Sequence, residues 1–123
     1  MPGIALVVEP GLLSRNRIRD ALLSLEFRVL EASGPGEALS ATDLLEEDVD
    51  LLVTEVLLPR LSGIELAAQL VLKRPGTRVL YVSSQMSRFV GENATHLKGS
   101  AFLQKPFSSE QLLKRLQDLT EVL

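Results

Sequence analysis

An α/β protein built as a three-layer, doubly wound parallel sheet of five strands is what this sequence predicts, on two observations. Short, unbroken apolar runs rich in Val, Ile and Leu recur along the chain, the composition of strands buried on both faces of a parallel sheet. Between them lie longer segments whose apolar residues recur at i, i+3, i+4 and i+7, the period of helices with one buried face. Strand–helix alternation of this kind folds into crossover units with helices on both sides of one sheet.

The first strand is the run Ile4-Ala5-Leu6-Val7-Val8. Pro10 follows where a helix begins, a place that tolerates proline because the missing N–H has no partner in the first turn. Ile18, Ala21, Leu22 and Leu25 form the inward stripe of that helix, with Arg15, Arg17 and Arg19 turned to water. Residues 27–32 read as a short second strand. The turn Ser33-Gly34-Pro35-Gly36 opens a second helix carrying Ala38, Leu39, Ala41 and Leu45. A third strand runs through Leu51-Leu52-Val53-Thr54 and closes on Glu55, a lone carboxylate in an apolar segment. Pro59 breaks the chain, Ser62 caps a helix of Ile64, Ala67, Ala68 and Val71, and Pro75-Gly76 ends it.

Residues 78–83 form the fourth strand and residues 101–104 the fifth. The last helix has the strongest signal: Ser108 and Gln111 make a capping box, and Leu112, Leu116, Leu119 and Leu123 line one face. Residues 85–100 hold Met86, Phe89, Val90, Ala94 and Leu97 but also Gly91, Asn93 and Gly99, so the period is poor and the expectation is a short or mobile helix. Five such units favour the flavodoxin-like strand order 2-1-3-4-5. Its topological switch point, where ligands of open α/β sheets collect, falls between strands one and three and sets Glu9 opposite Glu55.

At 123 residues the expected organisation is one domain spanning 1–123, large enough to bury roughly two thirds of its unfolded surface without a disulfide or metal. The net charge of −3 argues against nucleic acid as a main partner. Cysteine is absent, which removes disulfides, thiolate zinc sites and thiol catalysis. The apolar stretch at the N-terminus is shorter than a signal-peptide core and has no basic leader, and no run approaches the ~20 apolar residues of a membrane span. A cytoplasmic location with no membrane contact is the expectation.

The segment from Leu51 to Gly63, together with Phe102-Leu103-Gln104-Lys105-Pro106-Phe107, resembles the receiver domain of two-component response regulators, the second piece particularly those attached to hybrid histidine kinases. The resemblance covers essentially the whole chain. It implies that Glu55 takes the place of the phosphoacceptor aspartate and that Ser83 takes the place of the hydroxyl that holds the phosphoryl group. By the same resemblance Lys105 is the lysine that pairs with acceptor and phosphate, ahead of a cis Lys105–Pro106 bond. Phe102 replaces the aromatic switch residue with a ring lacking a hydroxyl. The metal-binding acidic pair after strand one becomes Glu9 and Pro10, so one ligand is missing. Glu9 reads either as that metal ligand or as an acid favoured by the helix N-terminus.

A receiver altered in this way is expected to bind magnesium weakly or not at all and to need no other cofactor, since proline offers no side-chain ligand. Glu55 carries its oxygens one carbon too far for in-line transfer. Reaching toward Ser83 and Lys105, it either imitates a phosphoryl group or fills a decayed site as a salt bridge. The expected function is therefore a non-enzymatic, phosphate-independent signalling module. Slow but genuine phosphoacceptance and small-ligand binding at the same rim stand as alternatives. Expected partners are a histidine kinase, a phosphotransfer protein or another receiver, with a homodimer through 85–123 possible. Ser83 and Ser84 have no neighbouring histidine for a nucleophilic triad, and His96 reads as a surface residue.

Overall fold

The structure, a computed structural model, describes residues 3–85, 87–88 and 100–121. Its elements alternate β1 (Ile4–Val8), α1 (Leu12–Ser24), β2 (Arg28–Ala32), α2 (Pro35–Asp43), β3 (Leu51–Glu55), α3 (Gly63–Lys73), β4 (Arg78–Ser83), β5 (Ala101–Gln104) and α4 (Ser109–Thr120). The strands form one parallel sheet in the order β2-β1-β3-β4-β5, as the sequence predicts.

Alternation along the strands divides the core into two layers. Ala5, Val7, Leu51, Val53, Leu80, Val82 and Leu103 face one side, packed against Ile18 and Leu22 of α1 and Leu112 and Leu116 of α4. Leu6, Val8, Leu52, Val79 and Tyr81 face the other side, packed against Ala38 of α2 and Leu66, Ala67 and Leu70 of α3. Burying each of these leucines is worth about 1.5–3 kcal/mol. Central strands β1 and β3 are buried at every residue, which is why they read as unbroken apolar runs.

Local signals hold in most places. Ser62 Oγ accepts the Glu65 N–H at 3.1 Å and caps α3. The Ser108–Gln111 capping box is complete, with bonds of 2.8 and 3.1 Å in the two directions. Four readings need correction. Pro10 precedes the cap residue Gly11 instead of occupying the first helical turn. Helix α2 stops at Asp43, before Leu45, and buries Thr42, whose hydroxyl bonds back to the carbonyls of Ala38 and Leu39. In α3 the buried stripe is Gly63, Leu66, Ala67 and Leu70, with Ala68 exposed, because a helix apolar nearly all round leaves its facing undetermined. The arginines of α1 do more than face water: Arg15, half-buried, bonds the Glu9 carbonyl at 2.9 Å, Arg17 is exposed as expected yet bonds the Phe107 carbonyl at 2.9 Å, and Arg19, half-buried, bonds Asp20 and Asn16. The expected short helix within 85–100, together with His96, lies almost entirely outside the described residues, as does Leu123.

Candidate functional site

Three strand ends meet at the carboxyl edge of the sheet. Glu9 follows β1, Glu55 closes β3, and Lys105 follows β5. Glu9 shares its strand parity with Ala5 and Val7, Glu55 with Leu51 and Val53, and Lys105 with Ala101 and Leu103. All three therefore emerge on the α1–α4 side of the sheet. Lys105 Nζ donates to Glu9 Oε1 and, at 2.9 Å, to Glu55 Oε1. The remaining carboxylate oxygens are held by backbone donors. Gly11 N–H reaches Glu9 Oε2 at 2.8 Å, and Leu57 N–H reaches Glu55 Oε2 at 3.0 Å. Glu9 and Glu55 are buried, with side chains only 3% and 10% exposed.

The ammonium is thus the counter-charge of two buried acids. Desolvation works to lower the Lys105 pKa, but the hydrogen bonds and charges of Glu9 and Glu55 together outweigh it and hold the group above its ordinary value. Glu9 sits with its carboxylate on the N–H of the cap residue of α1, as an acid at a helix N-terminus does. A cavity of about 330 Å³ opens beside Lys105, lined by Ser14, Arg17, Ser84, Pro106 and Phe107. Among the described residues no cluster of three or more Asp, Glu, His or Cys is placed to hold a metal ion.

The Ser83 hydroxyl is bonded neither to the two acids nor to the Lys105 ammonium, and Phe102 packs in the other layer. Ser83 shares its parity with Val79 and Tyr81, and Phe102 packs on the same α2–α3 side. Fully buried, Ser83 accepts the Gln85 N–H on its Oγ at 3.1 Å, and its carbonyl accepts the Lys105 N–H at 2.9 Å. The expectation that Glu55 spans both Ser83 and Lys105 therefore holds only for the lysine. The second carboxylate oxygen turns to Leu57. Strand alternation alone, applied to residues 79–83, carries the signal that separates Ser83 from the acids. The Lys105–Pro106 bond is cis, as the resemblance implies.

Sequence reasoning missed the backbone donors and Gly63. A Cβ on Gly63 would lie 2.1 Å from the Glu55 carbonyl oxygen and 3.1 Å from Thr54 Oγ1. The start of α3 thus packs directly onto the end of β3, and the Gly63 N–H bonds the Val56 carbonyl at 2.9 Å. Gly63→Ala is expected to lower stability by about 1–3 kcal/mol, the usual cost of forcing atoms into a packed site. Urea denaturation measures this, and a loss below about 0.5 kcal/mol would show that α3 can retreat freely.

A doubly wound parallel sheet with two acids and a lysine gathered at its carboxyl edge is a flavodoxin-like domain with a charged rim. The family described as the response regulator receiver domain matches residues 5–117, and the chain belongs to it. It is similar to the chemotaxis protein CheY of Listeria monocytogenes, 26% identical over 113 residues that make up 91% of this chain and 93% of that protein. It is also similar to the sensor kinase CckA of Brucella abortus, 31% identical over 101 residues, 82% of this chain. The response regulator MprA of Mycolicibacterium vanbaalenii is 34% identical over 122 residues, 97% of this chain. The chain spans 11% of CckA and 51% of MprA. Among solved structures, the beryllofluoride-activated DrrB receiver domain superposes with a TM-score of 0.78 at 27% identity, covering 98% of both chains. The response regulator CheY4 of Vibrio cholerae superposes at 0.81 with 23% identity, covering 97% of this chain and 99% of that one, and supports the fold. No helix among the described residues is long and apolar enough to cross a membrane.

Proposed function

We propose that this receiver domain of two-component signalling works as a phosphate-independent protein-interaction module whose acidic pocket is closed by its own lysine. The observation that carries the reading is the doubly bonded ammonium of Lys105, which sits between Glu9 and Glu55 while Gly11 and Leu57 take the other oxygens. Magnesium wants near-octahedral oxygen ligands, most of them water, around one or two carboxylates. The donor set here fits it poorly. Every oxygen of the two carboxylates already accepts a hydrogen bond, a cation stands between them, and Pro10 contributes no side-chain oxygen. Phosphoryl transfer relies on such an ion to neutralise the equatorial oxygens in the transition state. Without it, and with the acceptor carboxylate one methylene too long, transfer has no favourable path.

What remains is a receiver surface for a histidine kinase, a phosphotransfer protein or another receiver. The test is incubation of the wild-type domain with acetyl phosphate and magnesium, followed by intact-mass spectrometry, beside a receiver with an aspartate acceptor. The expected spectrum of this domain lacks a phosphoryl adduct when the control is saturated. Uptake at the control's rate would overturn the reading, and an adduct mapped to Glu55 or Ser83 would replace it with slow phosphoacceptance.

A further inference from the structure

Lys105 can meet two acids only if the strand before it is held in register. Strand β5 has four residues and lies at the sheet edge, paired with β4 alone. Short edge strands are the least secured part of a sheet. A slip of one residue would carry Lys105 about 3.3 Å along the strand and turn it to the opposite face, ending its contact with Glu9 and Glu55. Backbone pairing by itself discriminates weakly against such slips.

Tyr81 of β4 is the register partner of Phe102 of β5. Their rings stack with centroids 5.9 Å apart and planes 19° from parallel. The tyrosine is 3% exposed, and its hydroxyl lies within the electrostatic reach of the side chain of Ser100, the residue immediately before β5. One side chain therefore meets the strand at its middle and neighbours the residue before its start, while the Ser83 carbonyl holds the Lys105 N–H just past its end. Burial pushes the Tyr81 hydroxyl up to about 12, against a smaller opposing effect of Ser100, as expected for a phenol kept from water.

We propose that Tyr81 is the positioning residue for Lys105: its stack on Phe102 and its interaction with Ser100 hold β5 in the register that delivers the ammonium to Glu9 and Glu55. Nothing in this assignment depends on whether the pocket accepts phosphate. It concerns how the lysine is placed, in a closed pocket or an open one. Aromatic pairs of this geometry contribute about 0.5–1.5 kcal/mol beyond their burial, which corresponds to a two- to tenfold change in a local opening equilibrium.

The experiment follows the side-chain ammonium of Lys105 by NMR, through the exchange of its protons with water, in the intact domain. Tyr81→Leu is expected to speed that exchange about two- to tenfold by removing both ties. Tyr81→Phe keeps the ring and loses only the interaction with Ser100, so its effect is smaller, equal to that of Ser100→Ala, and not increased in the double variant. Val49→Ala, at a buried site just before β3, a strand not paired with β5, serves as the control that lowers global stability without speeding the exchange. Should Tyr81→Leu fail to fold, the Tyr81→Phe and Ser100→Ala cycle decides alone. Unchanged exchange in the Tyr81 variants, additive effects in the cycle, or an equal acceleration in Val49→Ala would each overturn the assignment.

Discussion

Replacing Pro10 and Glu55 together by aspartate is expected to raise the rate of phosphoryl uptake from acetyl phosphate in the presence of magnesium by about 10⁵-fold over wild type. Two separate deficits are repaired. Pro10→Asp supplies a second carboxylate beside Glu9, and an ion held there is worth ~4 kcal/mol of transition-state stabilisation, about a thousandfold in rate. Glu55→Asp withdraws the acceptor oxygens by about 1 Å to the in-line position, worth about a further hundredfold. Pro10 is exposed and lies outside α1, so the substitution costs little structure. Each single variant should recover only its own share. Intact-mass kinetics on the four proteins reads this directly, and a double variant no faster than wild type would mean that the altered positions are not what prevents the chemistry.

Lys105→Met is expected to destabilise the domain by about 3 kcal/mol, because it leaves two buried carboxylates facing each other without a counter-charge. For a domain of 123 residues this lowers the melting temperature by roughly 10 °C. Adding Glu55→Gln to Lys105→Met should return a large part of the loss, since one of the two stranded charges is then gone. Linkage gives the pH dependence its sign. A folded-state lysine pKa above the unfolded value contributes stability that is complete below ~10.4 and is lost as pH rises through the folded value. Tyr81, raised to about 12, acts in the same direction from ~10 upward. Wild type should therefore lose stability between pH 10 and 12, and Lys105→Met should show a shallower alkaline limb. A loss under 1 kcal/mol for Lys105→Met, the range of exposed pairs, would show that the ammonium is not the pocket's counter-charge.

The fold was legible because its cues are local and repeated. Unbroken apolar strands, a cap at Ser62 and a capping box at Ser108 each name an element without reference to distant residues. The trio of Glu9, Glu55 and Lys105 was legible as well, since strand order and the position of each residue at a strand end bring them to one rim. Less visible was everything that depends on backbone atoms or on facing. No residue type announces that Gly11 and Leu57 will spend their N–H groups on the two carboxylates, because a backbone donor is present at every position. The facing of α3 was ambiguous for the opposite reason, with apolar residues on nearly every side. Ser83 was grouped with the acids by its resemblance to a family position, whereas strand alternation turns it to the other face. Tyr81 carried no sequence signal of its own, since its role arises only from the register that sets it against Phe102.

A resident ammonium in place of an exchangeable ion and a transferable phosphate is the claim on which the functional account stands. Amide chemical shifts of Gly11, Leu57 and Lys105 in the wild-type domain, followed while magnesium and beryllium fluoride are added together, test it most directly. The account predicts shifts that stay in place up to concentrations that saturate a receiver with an aspartate acceptor. Saturable movement of those three amides would contradict it.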